Sequence, residues 1–440
     1  KCIIPEFTAF DGYTGEIRPG GVFLYSYSQD DNQWLLEQNC YLPDEYSYPT
    51  MPVYDEDGDG SYTDEIPLDL DGDGYFTDDY NYPEDPNDEP QYLDGNKREH
   101  TYYLATKEHL QNVAYSDLGP TVEYIDTEMS FDGETLNSYQ VSPTADIKAI
   151  AESGIAVYSM GGWMDAFARC NTEIYATLAE TNPSKLIMGA GYHMEYSPFW
   201  NYCGEDDRDI IDFFSEEKLR FFDKYLKGID NGIDEESPVL IYNINGDGWR
   251  YENEWPLARQ QETDFYLDAD NSLSLNRTKT GTDSYTVDFT TASIYGDSWQ
   301  SNRYLMEEPD GMPIRTEEDK KCLTYTSAPL DEDTEVTGYP IVDIWVSSTA
   351  ETGDFYFYLE DVDENGEAIL ITEGVLNAQF HKLYDNDTMI LDNNGEIEVL
   401  PELPWHGYEE EQCDENVFAD GKIINLTLDL MPVSYTFEEG

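Results

Sequence analysis

The chain has 440 residues, and its 94 acidic residues against 23 basic ones give a formal net charge of −71. This charge makes nucleic acid and anionic membrane surfaces poor partners, because both would be repelled. Apolar residues make up 39% of the chain and aromatic residues 14%, so enough material exists to bury and general disorder is excluded. The length exceeds what one hydrophobic core accommodates, and we expect two or three domains.

The first 148 residues combine a short strand with a long polar region. Residues 1–10 have the pattern of a short buried strand, whereas residues 20–148 are polar and rich in Tyr, Asp and Pro. Within the polar region, the phrase D-x-D-x-D-G occurs at Asp55 and again at Asp69. This duplication occupies about residues 54–80.

The duplicated acidic phrase predicts two calcium loops. Each copy places carboxylates at positions 1, 3 and 5 and a glycine at position 6, as in an EF-hand loop. The acid usual at position 12 is missing, both copies carry acids at positions 10 and 11, and convincing flanking helices are absent. Hard oxygen donors favour Ca²⁺, so we predict EF-like loops with a structural Ca²⁺ role, the alternative being a solvated acidic loop that binds nothing. The candidate ligands are Asp55, Asp57, Asp59, Asp64, Glu65, Asp69, Asp71, Asp73, Asp78 and Asp79.

From about residue 150 the pattern is that of a parallel α/β sheet. The runs GIAVYSMGG (154–162) and SKLIMGAGYH (184–193) are typical of strands buried on both faces. A helix is predicted between them and a second, longer one after them, and this alternation is the βαβ pattern. The first helix has one apolar face that carries Phe167, Cys170, Ile174 and Leu178. The second has an apolar face with Ile210, Phe214, Phe221 and Tyr225, and predicted ion pairs Glu216–Arg220 and Asp223–Lys227.

After residue 238 the apolar period changes to two. The segments VLIYNING, TDFYLDA, SYTVDFT, YPIVDIWVSS and DFYFYLEDVDENGEAILIT are typical of short strands, and DENG is typical of a hairpin turn. We therefore predict an all-β domain of sandwich or jelly-roll type after the α/β region.

Two polar residues follow the two predicted buried strands. Asp165 comes just after the first strand and His193 directly after the second. Catalytic groups in an open parallel sheet gather at the carboxyl ends of strands, and an acid followed by a histidine is the second half of the nucleophile–acid–histidine order of α/β-hydrolases. His193 would act as general base, and Asp165 would hold its tautomer. The alternative is a turn-capping aspartate beside a half-buried histidine. Ser159 and Ser197 are expected to be ordinary strand and loop residues, since neither lies in a G-x-S-x-G sequence.

Several motifs in order resemble the CocE/NonD hydrolases, the group that contains cocaine esterase, α-amino acid ester hydrolases and X-Pro dipeptidyl-peptidases. They are IIPEFTAFDGY…RPGGVF, AVYSMGGWMDAFARCNTEIYATL, SKLIMGAGYH, LRFFDKYLKGIDNGI, VLIYNINGDGWRYENEWP, APLDEDTEVTGYPIVDIWVSS and DFYFYLEDVDENGEAILITEGVLNAQF. The resemblance covers most of residues 1–23 and 150–435.

The resemblance implies a role for three residues. Asp165 matches the triad acid of the family's GGWxD motif, Trp163 matches the aromatic residue beside it, which would line the substrate pocket, and His193 matches the triad histidine. The family more often has GPWxH where this chain has GAGYH. The nucleophile is not among the residues of this chain: by resemblance, the serine of the Gly-x-Ser-Tyr-x-Gly elbow would lie upstream of residue 1, in a longer polypeptide.

The resemblance also implies a domain division. We expect a partial α/β-hydrolase core in 1–20 and 149–235, with a cap region in 21–148 that contains the acidic insertion at about 54–80. A β jelly-roll domain of galactose-binding-like type would occupy 236–440 and be truncated at its C-terminal end.

Two functions remain open from the sequence. The first is a secreted, extracellular serine hydrolase that cleaves ester or amide bonds, X-Pro dipeptidyl bonds among them, in a small-molecule or peptide substrate. The alternative is a non-catalytic extracellular structural or binding protein that retains the hydrolase fold and is stabilised by calcium. No apolar run reaches the roughly 18 residues of a membrane span. Six cysteines permit three disulfides in any of 15 pairings, and the oligomeric state is open.

Overall fold

The structure is a computed structural model, and it describes residues 1–25, 119–131, 134–193, 207–268, 271–277, 279–291, 312–384, 390, 396–400 and 402–440. The chain divides into two compact units, one formed by Lys1–Leu24 with Val122–Gly440 and the other by Tyr25–Thr121. The architecture below is that of the first unit. The duplicated acidic phrase and its flanking residues lie outside the described residues.

Three α-helices and eighteen strands are assigned in the described residues, besides short 3₁₀ and π turns. The helices are α1 (Pro143–Ser153), α2 (Ala168–Leu178) and α3 (Asp207–Lys227). The strands of the first half are β1 (Cys2–Ile3), β2 (Met129–Phe131), β3 (Glu134–Leu136), β4 (Ala156–Gly162), β5 (Ser184–Gly189), β6 (Val239–Asn243), β7 (Gly248–Glu252), β8 (Tyr266–Asp268) and β9 (Ser272–Ser274). Those of the second half are β10 (Thr326–Ser327), β11 (Thr334–Gly338), β12 (Ile341–Val346), β13 (Asp354–Val362), β14 (Ala368–Asn377), β15 (Leu383–Tyr384), β16 (Trp405–His406), β17 (Ile424–Asp429) and β18 (Val433–Phe437).

The central element is a five-stranded sheet with the order β1-β4-β5-β6-β7. Strands β1, β4, β5 and β6 are parallel, and β7 is antiparallel to β6. The pairing of β1 continues beyond Ile3, because the amide of Met160 donates to the carbonyl of Pro5 at 2.9 Å and the amide of Phe7 donates to the carbonyl of Met160 at 2.9 Å. The opening segment is therefore a strand of the sheet, as its apolar pattern predicts.

Helices cover both faces of the sheet. Successive residues of β4 therefore pack in two different hydrophobic clusters, one on each face. Val157 packs in a cluster with Ile147 of α1 and Ile174 of α2. The neighbouring Tyr158 packs with Phe214 and Phe221 of α3 instead. Burial of β4 on both faces explains why its sequence is a continuous apolar run. The α/β layer also begins earlier than residue 149, since α1 starts at Pro143.

The predicted apolar faces of the helices are confirmed in the described side chains. All four residues of the α2 stripe lie in one buried cluster, and on α3 Phe214 and Phe221 are buried while Tyr225 packs beside them. The predicted Asp223–Lys227 ion pair is present, with 2.6 Å between Lys227 Nζ and Asp223 Oδ1. The Glu216–Arg220 pair was wrong, because Arg220 instead pairs with Glu217 and Glu236.

The second half of the chain is a β region. It contains the β13–β14 hairpin, with Asp354 opposite Asn377, and the antiparallel pairs β12–β17 and β11–β18. The hairpin confirms the predicted turn at DENG. The β region has a hydrophobic core of its own, which includes Leu376, Phe418 and Leu426. Jelly-roll topology and a cap insertion remain predictions.

Two segments assigned to the β domain from sequence differ in the structure. Residues 239–243 form β6, which pairs in parallel with β5 in the α/β sheet, and its five residues are all buried. The α/β sheet therefore extends past residue 236. The strand expected at 284–290 is absent: the structure assigns no strand between residues 279 and 291, and Phe289 is 95% exposed. The other large apolar side chains of this segment, Tyr285 and Val287, are exposed as well.

Candidate active site

The loops that follow β4 and β5 are hydrogen-bonded to each other. Gly162 at the end of β4 is opposite Gly189 at the end of β5. The amide of Trp163 then donates to the carbonyl of Gly189 at 2.9 Å, and the amide of Met164 donates to the carbonyl of Gly191 at 3.1 Å. These bonds hold the two loops side by side at the carboxyl edge of the sheet.

Gly162 permits this close approach. A Cβ added at Gly162 would lie 2.3 Å from the carbonyl oxygen of Gly191, where no side chain fits. Gly191 belongs to the sequence GAGYH, in which this chain departs from the GPWxH expected from the resemblance. The departure still allows the ends of β4 and β5 to lie against each other.

Asp165 and His193 are brought together by these loops. His193 Nδ1 lies 3.2 Å from Asp165 Oδ1, and the Asp165 side chain is fully buried while that of His193 is 16% exposed. The carbonyl of Asp165 also accepts the amide of Ala168, the first residue of α2, at 3.1 Å. We refer to Asp165 and His193 as the acid–histidine pair.

The geometry of the acid–histidine pair determines which nitrogen is available for proton transfer. When Nδ1 donates its proton to a carboxylate, the lone pair of the neutral imidazole is on Nε2. A buried carboxylate then stabilises the imidazolium that forms when Nε2 accepts a proton. The pair can therefore act as a general base and later as a general acid.

Trp163 lies in the core beneath this edge of the sheet. Its side chain is 2% exposed, its indole Nε1 donates to the carbonyl of Tyr242 at 2.8 Å, and its ring centroid lies 5.4 Å from that of Trp255. These contacts anchor the residue two positions before Asp165. The expectation that Trp163 lines a substrate pocket stays a prediction.

The two serines set aside from sequence have different outcomes. Ser159 is fully buried in β4 and its hydroxyl donates to the carbonyl of Asn171 at 2.9 Å, which confirms an ordinary strand residue. Ser197 lies outside the described residues. The identity of the nucleophile stays a prediction.

The ten predicted calcium ligands also lie outside the described residues. In the part of the chain that the structure describes, no group of three or more His, Cys, Asp or Glu side chains is arranged to hold a metal ion. Among the same residues, no helix is long and apolar enough to cross a membrane. The four described cysteines, Cys2, Cys170, Cys322 and Cys413, are free thiols.

An ion cluster on α2 in which both carboxylates are buried was missed from the sequence. Arg169 Nε lies 2.8 Å from Glu173 Oε1, and Arg169 Nη1 lies 3.4 Å from Asp429 Oδ2 at the end of β17. The guanidinium also lies 5.0 Å from the ring centroid of Trp405. We call Arg169, Glu173 and Asp429 the α2 ion cluster, and it joins the helix that follows Asp165 to the β domain.

Burial dominates the electrostatics of the α2 ion cluster. It raises the pKa of Glu173 to about 7, although the attraction of Arg169 opposes the shift. It raises the pKa of Asp429 too, again against Arg169. The spacing of Arg169 and Glu173 on one helix face was visible in the sequence. Their distant partner Asp429 was not.

The β-domain portion matches a known family model. Residues 231–440 match the X-Pro dipeptidyl-peptidase C-terminal non-catalytic domain. The matched range begins before β6, so it includes β6 and β7, the last two strands of the α/β sheet.

The proteins to which this chain is similar include one sequence relative and two solved structures, and all three carry the names of hydrolases. A protein from Mycobacterium bovis that carries the name of a serine esterase is 33% identical over 310 residues, which cover 68% of this chain and 46% of that protein. A CocE/NonD family hydrolase from Staphylococcus aureus superposes with a TM-score of 0.50 at 15% identity, covering 77% of this chain and 52% of that one. An aminopeptidase from a marine sediment Thaumarchaeota archaeon superposes with a TM-score of 0.62 at 16% identity, covering 100% of this chain and 63% of that one.

These matches agree with the resemblance that the motifs indicate: the chain is similar to hydrolases of the CocE/NonD type. It spans about half the length of the curated relative, 46%.

Proposed function

We propose that this chain supplies the acid and the histidine of a serine hydrolase that cleaves ester or amide bonds. The observation that carries the proposal is the 3.2 Å contact between His193 Nδ1 and Asp165 Oδ1 at the ends of two adjacent parallel strands. The names of the relatives support hydrolysis as the class of reaction. The serine would lie in sequence that precedes Lys1.

The proposed reaction follows from the acid–histidine pair. Nε2 of His193 accepts the serine proton as the serine oxygen attacks the substrate carbonyl, and the resulting imidazolium donates that proton to the leaving alcohol or amine. A water molecule then loses a proton to Nε2 as its oxygen attacks the acyl carbonyl, and the imidazolium returns that proton to the departing serine oxygen. Asp165 keeps Nδ1 protonated and stabilises the imidazolium in both halves of the cycle.

Turnover by the full-length polypeptide tests the proposal. We expect His193→Ala to abolish most hydrolysis of p-nitrophenyl esters or X-Pro p-nitroanilides, and Asp165→Asn to reduce kcat by up to about 10⁴-fold. A matched control exists in the β domain, where His381 Nε2 lies 3.6 Å from Asp414 Oδ2 and the histidine side chain is 15% exposed. His381→Ala should leave turnover unchanged.

Comparison of the two substrate types separates the finer alternatives. Faster hydrolysis of simple esters supports an esterase, whereas a requirement for an X-Pro amide supports dipeptidyl-peptidase activity. Absence of turnover on both, with a serine present in the elbow sequence, would contradict the proposal and favour the non-catalytic binding role.

Secretion and calcium stabilisation are part of the same proposal. The duplicated D-x-D-x-D-G phrase and the net charge of −71 support them, because an acidic, ion-ordered loop suits an extracellular environment with abundant calcium.

A further inference from the structure

Two phenylalanine rings contact the imidazole of His193. The centroid of Phe7 lies 5.7 Å from that of His193 at an interplanar angle of 68°, and the centroid of Phe167 lies 5.6 Å away at 64°. Both are edge contacts. Phe7 comes from the end of the segment paired with β4, and Phe167 from the loop between β4 and α2. Three neighbouring strand ends of the sheet therefore converge on one histidine ring.

Phe7 has an unusual backbone conformation. Its φ is 44°, in the left-handed region that bulky residues rarely adopt, and its side chain is buried at 6% exposure. Its amide donates to the carbonyl of Met160 at 2.9 Å, so the strained residue is the last one held by pairing with β4. A strained backbone that persists at a candidate active site suggests that the position of its side chain matters.

The hydrogen bond to Asp165 is not enough to fix the His193 ring. The 3.2 Å separation of Nδ1 and Oδ1 is longer than the roughly 2.7–2.9 Å of a strong charge-assisted bond. Rotation about the Cβ–Cγ bond of a histidine is broad and nearly two-fold, so a half turn would place a carbon in front of Asp165. The rings of Phe7 and Phe167 contact the imidazole at centroid distances of 5.7 and 5.6 Å, so a turn of the ring would have to change both contacts.

We propose that Phe7 is a positioning residue: together with Phe167, it restricts rotation of the His193 ring and keeps Nδ1 directed at Asp165. The orienting effect stands on the contacts alone, whereas its catalytic consequence rests on the proposed function. Phe7 acts through His193 and contributes no group to the reaction.

The tautomer of His193 provides the direct test. Long-range ¹H–¹⁵N spectra of the full-length protein with ¹⁵N-labelled histidine report which imidazole nitrogen carries the proton, and five histidines make assignment with His193→Ala practical. Spectra are recorded at a pH where the ring is neutral. We expect one Nδ1-protonated form in the unmodified protein.

Two variants remove the Phe7 ring in different ways. Phe7→Leu keeps much of the apolar volume, and Phe7→Gly removes it while relieving the left-handed backbone strain. Both should give a mixture of the two tautomers and at least a tenfold lower kcat with KM within about twofold. Phe10→Leu is the matched control, because Phe10 is fully buried nearby and packs with Ile147 and Val157. It should keep the tautomer and kcat.

The outcomes separate the inference from the proposed function. A folded Phe7→Leu or Phe7→Gly protein with an unchanged Nδ1-protonated His193 would overturn the positioning role, whatever its activity. Loss of the tautomer preference in a protein that hydrolyses nothing would support the positioning role and count against the hydrolase proposal. An equal tautomer change in Phe10→Leu would show a general packing effect and also overturn the inference.

Discussion

Glu173→Gln is expected to stabilise the protein increasingly as the pH rises. Glu173 lies in the α2 ion cluster and is 1% exposed. Burial raises its pKa from 4.5 to about 7 in the folded protein. Because the folded form binds this proton more tightly than the unfolded chain does, the associated stability is complete below pH 4.5 and is lost as the pH rises through about 7. Glutamine resembles the protonated carboxyl and cannot ionise, so it avoids that loss.

The magnitude follows from the pKa difference. The difference between a pKa of 4.5 and one of about 7 corresponds to roughly 3 kcal/mol of unfolding free energy when Glu173 is fully ionised. Of this, about 2 kcal/mol develops between about pH 5.5 and about pH 8.5. That interval stays above the isoelectric point of about 4.1, near which an acidic protein is least soluble.

Urea unfolding across this interval is the assay, because guanidinium salts would screen the charges. The difference in unfolding free energy between Glu173→Gln and the unmodified protein should grow by about 2 kcal/mol from the acidic to the basic end. Glu216→Gln on the exposed face of α3 is the control, because it removes one carboxylate that is not buried. A flat difference for Glu173→Gln, or one that favours the unmodified protein at high pH, would refute the reasoning, since the pairing with Arg169 would then outweigh burial.

Three further changes test separate parts of the structure. Gly162→Ala should reduce turnover at least about tenfold, equivalent to 1.4 kcal/mol, because its Cβ must displace Gly191; unchanged kinetics would contradict the required close approach. Trp163→Phe should lower the unfolding free energy by about 1–3 kcal/mol, because the buried carbonyl of Tyr242 loses its donor, and should leave KM unchanged. A shift in KM for aromatic esters would instead support the pocket role. Chelation with EGTA should lower the melting temperature, and Asp57→Asn should reduce that effect; equal melting with and without chelator counts against occupied loops.

The acid–histidine pair could be predicted because the signals were local. Continuous apolar runs located β4 and β5, and polar residues at the carboxyl ends of parallel strands share one edge of the sheet. The apolar face of α2 could also be predicted, because its residues recur at helical spacing. Sequence alone could not show how close the loops lie, because Gly162 and Gly191 meet only after the strands pair.

Other features depended on tertiary partners that no local pattern encodes. Residues 239–243 form β6 of the α/β sheet. The sequence did not show this, because the segments that follow them also have the pattern of strands. Residues 284–290 alternate as a strand would, yet they form no strand in the described part of the chain, and Phe289 is 95% exposed. The second carboxylate that pairs with Arg169 belongs to Asp429, which is far away in the chain. The contact between Phe7 and His193 likewise joins residues that are distant in the sequence.

Covalent labelling tests the central claim most directly. The full-length polypeptide is treated with a fluorophosphonate probe, and the modified residue is located by mass spectrometry. The account predicts one labelled serine in the sequence that precedes Lys1, with labelling lost in His193→Ala and retained in His381→Ala. Absence of labelling, or labelling that persists without His193, would contradict the assignment of the acid–histidine pair to a serine hydrolase.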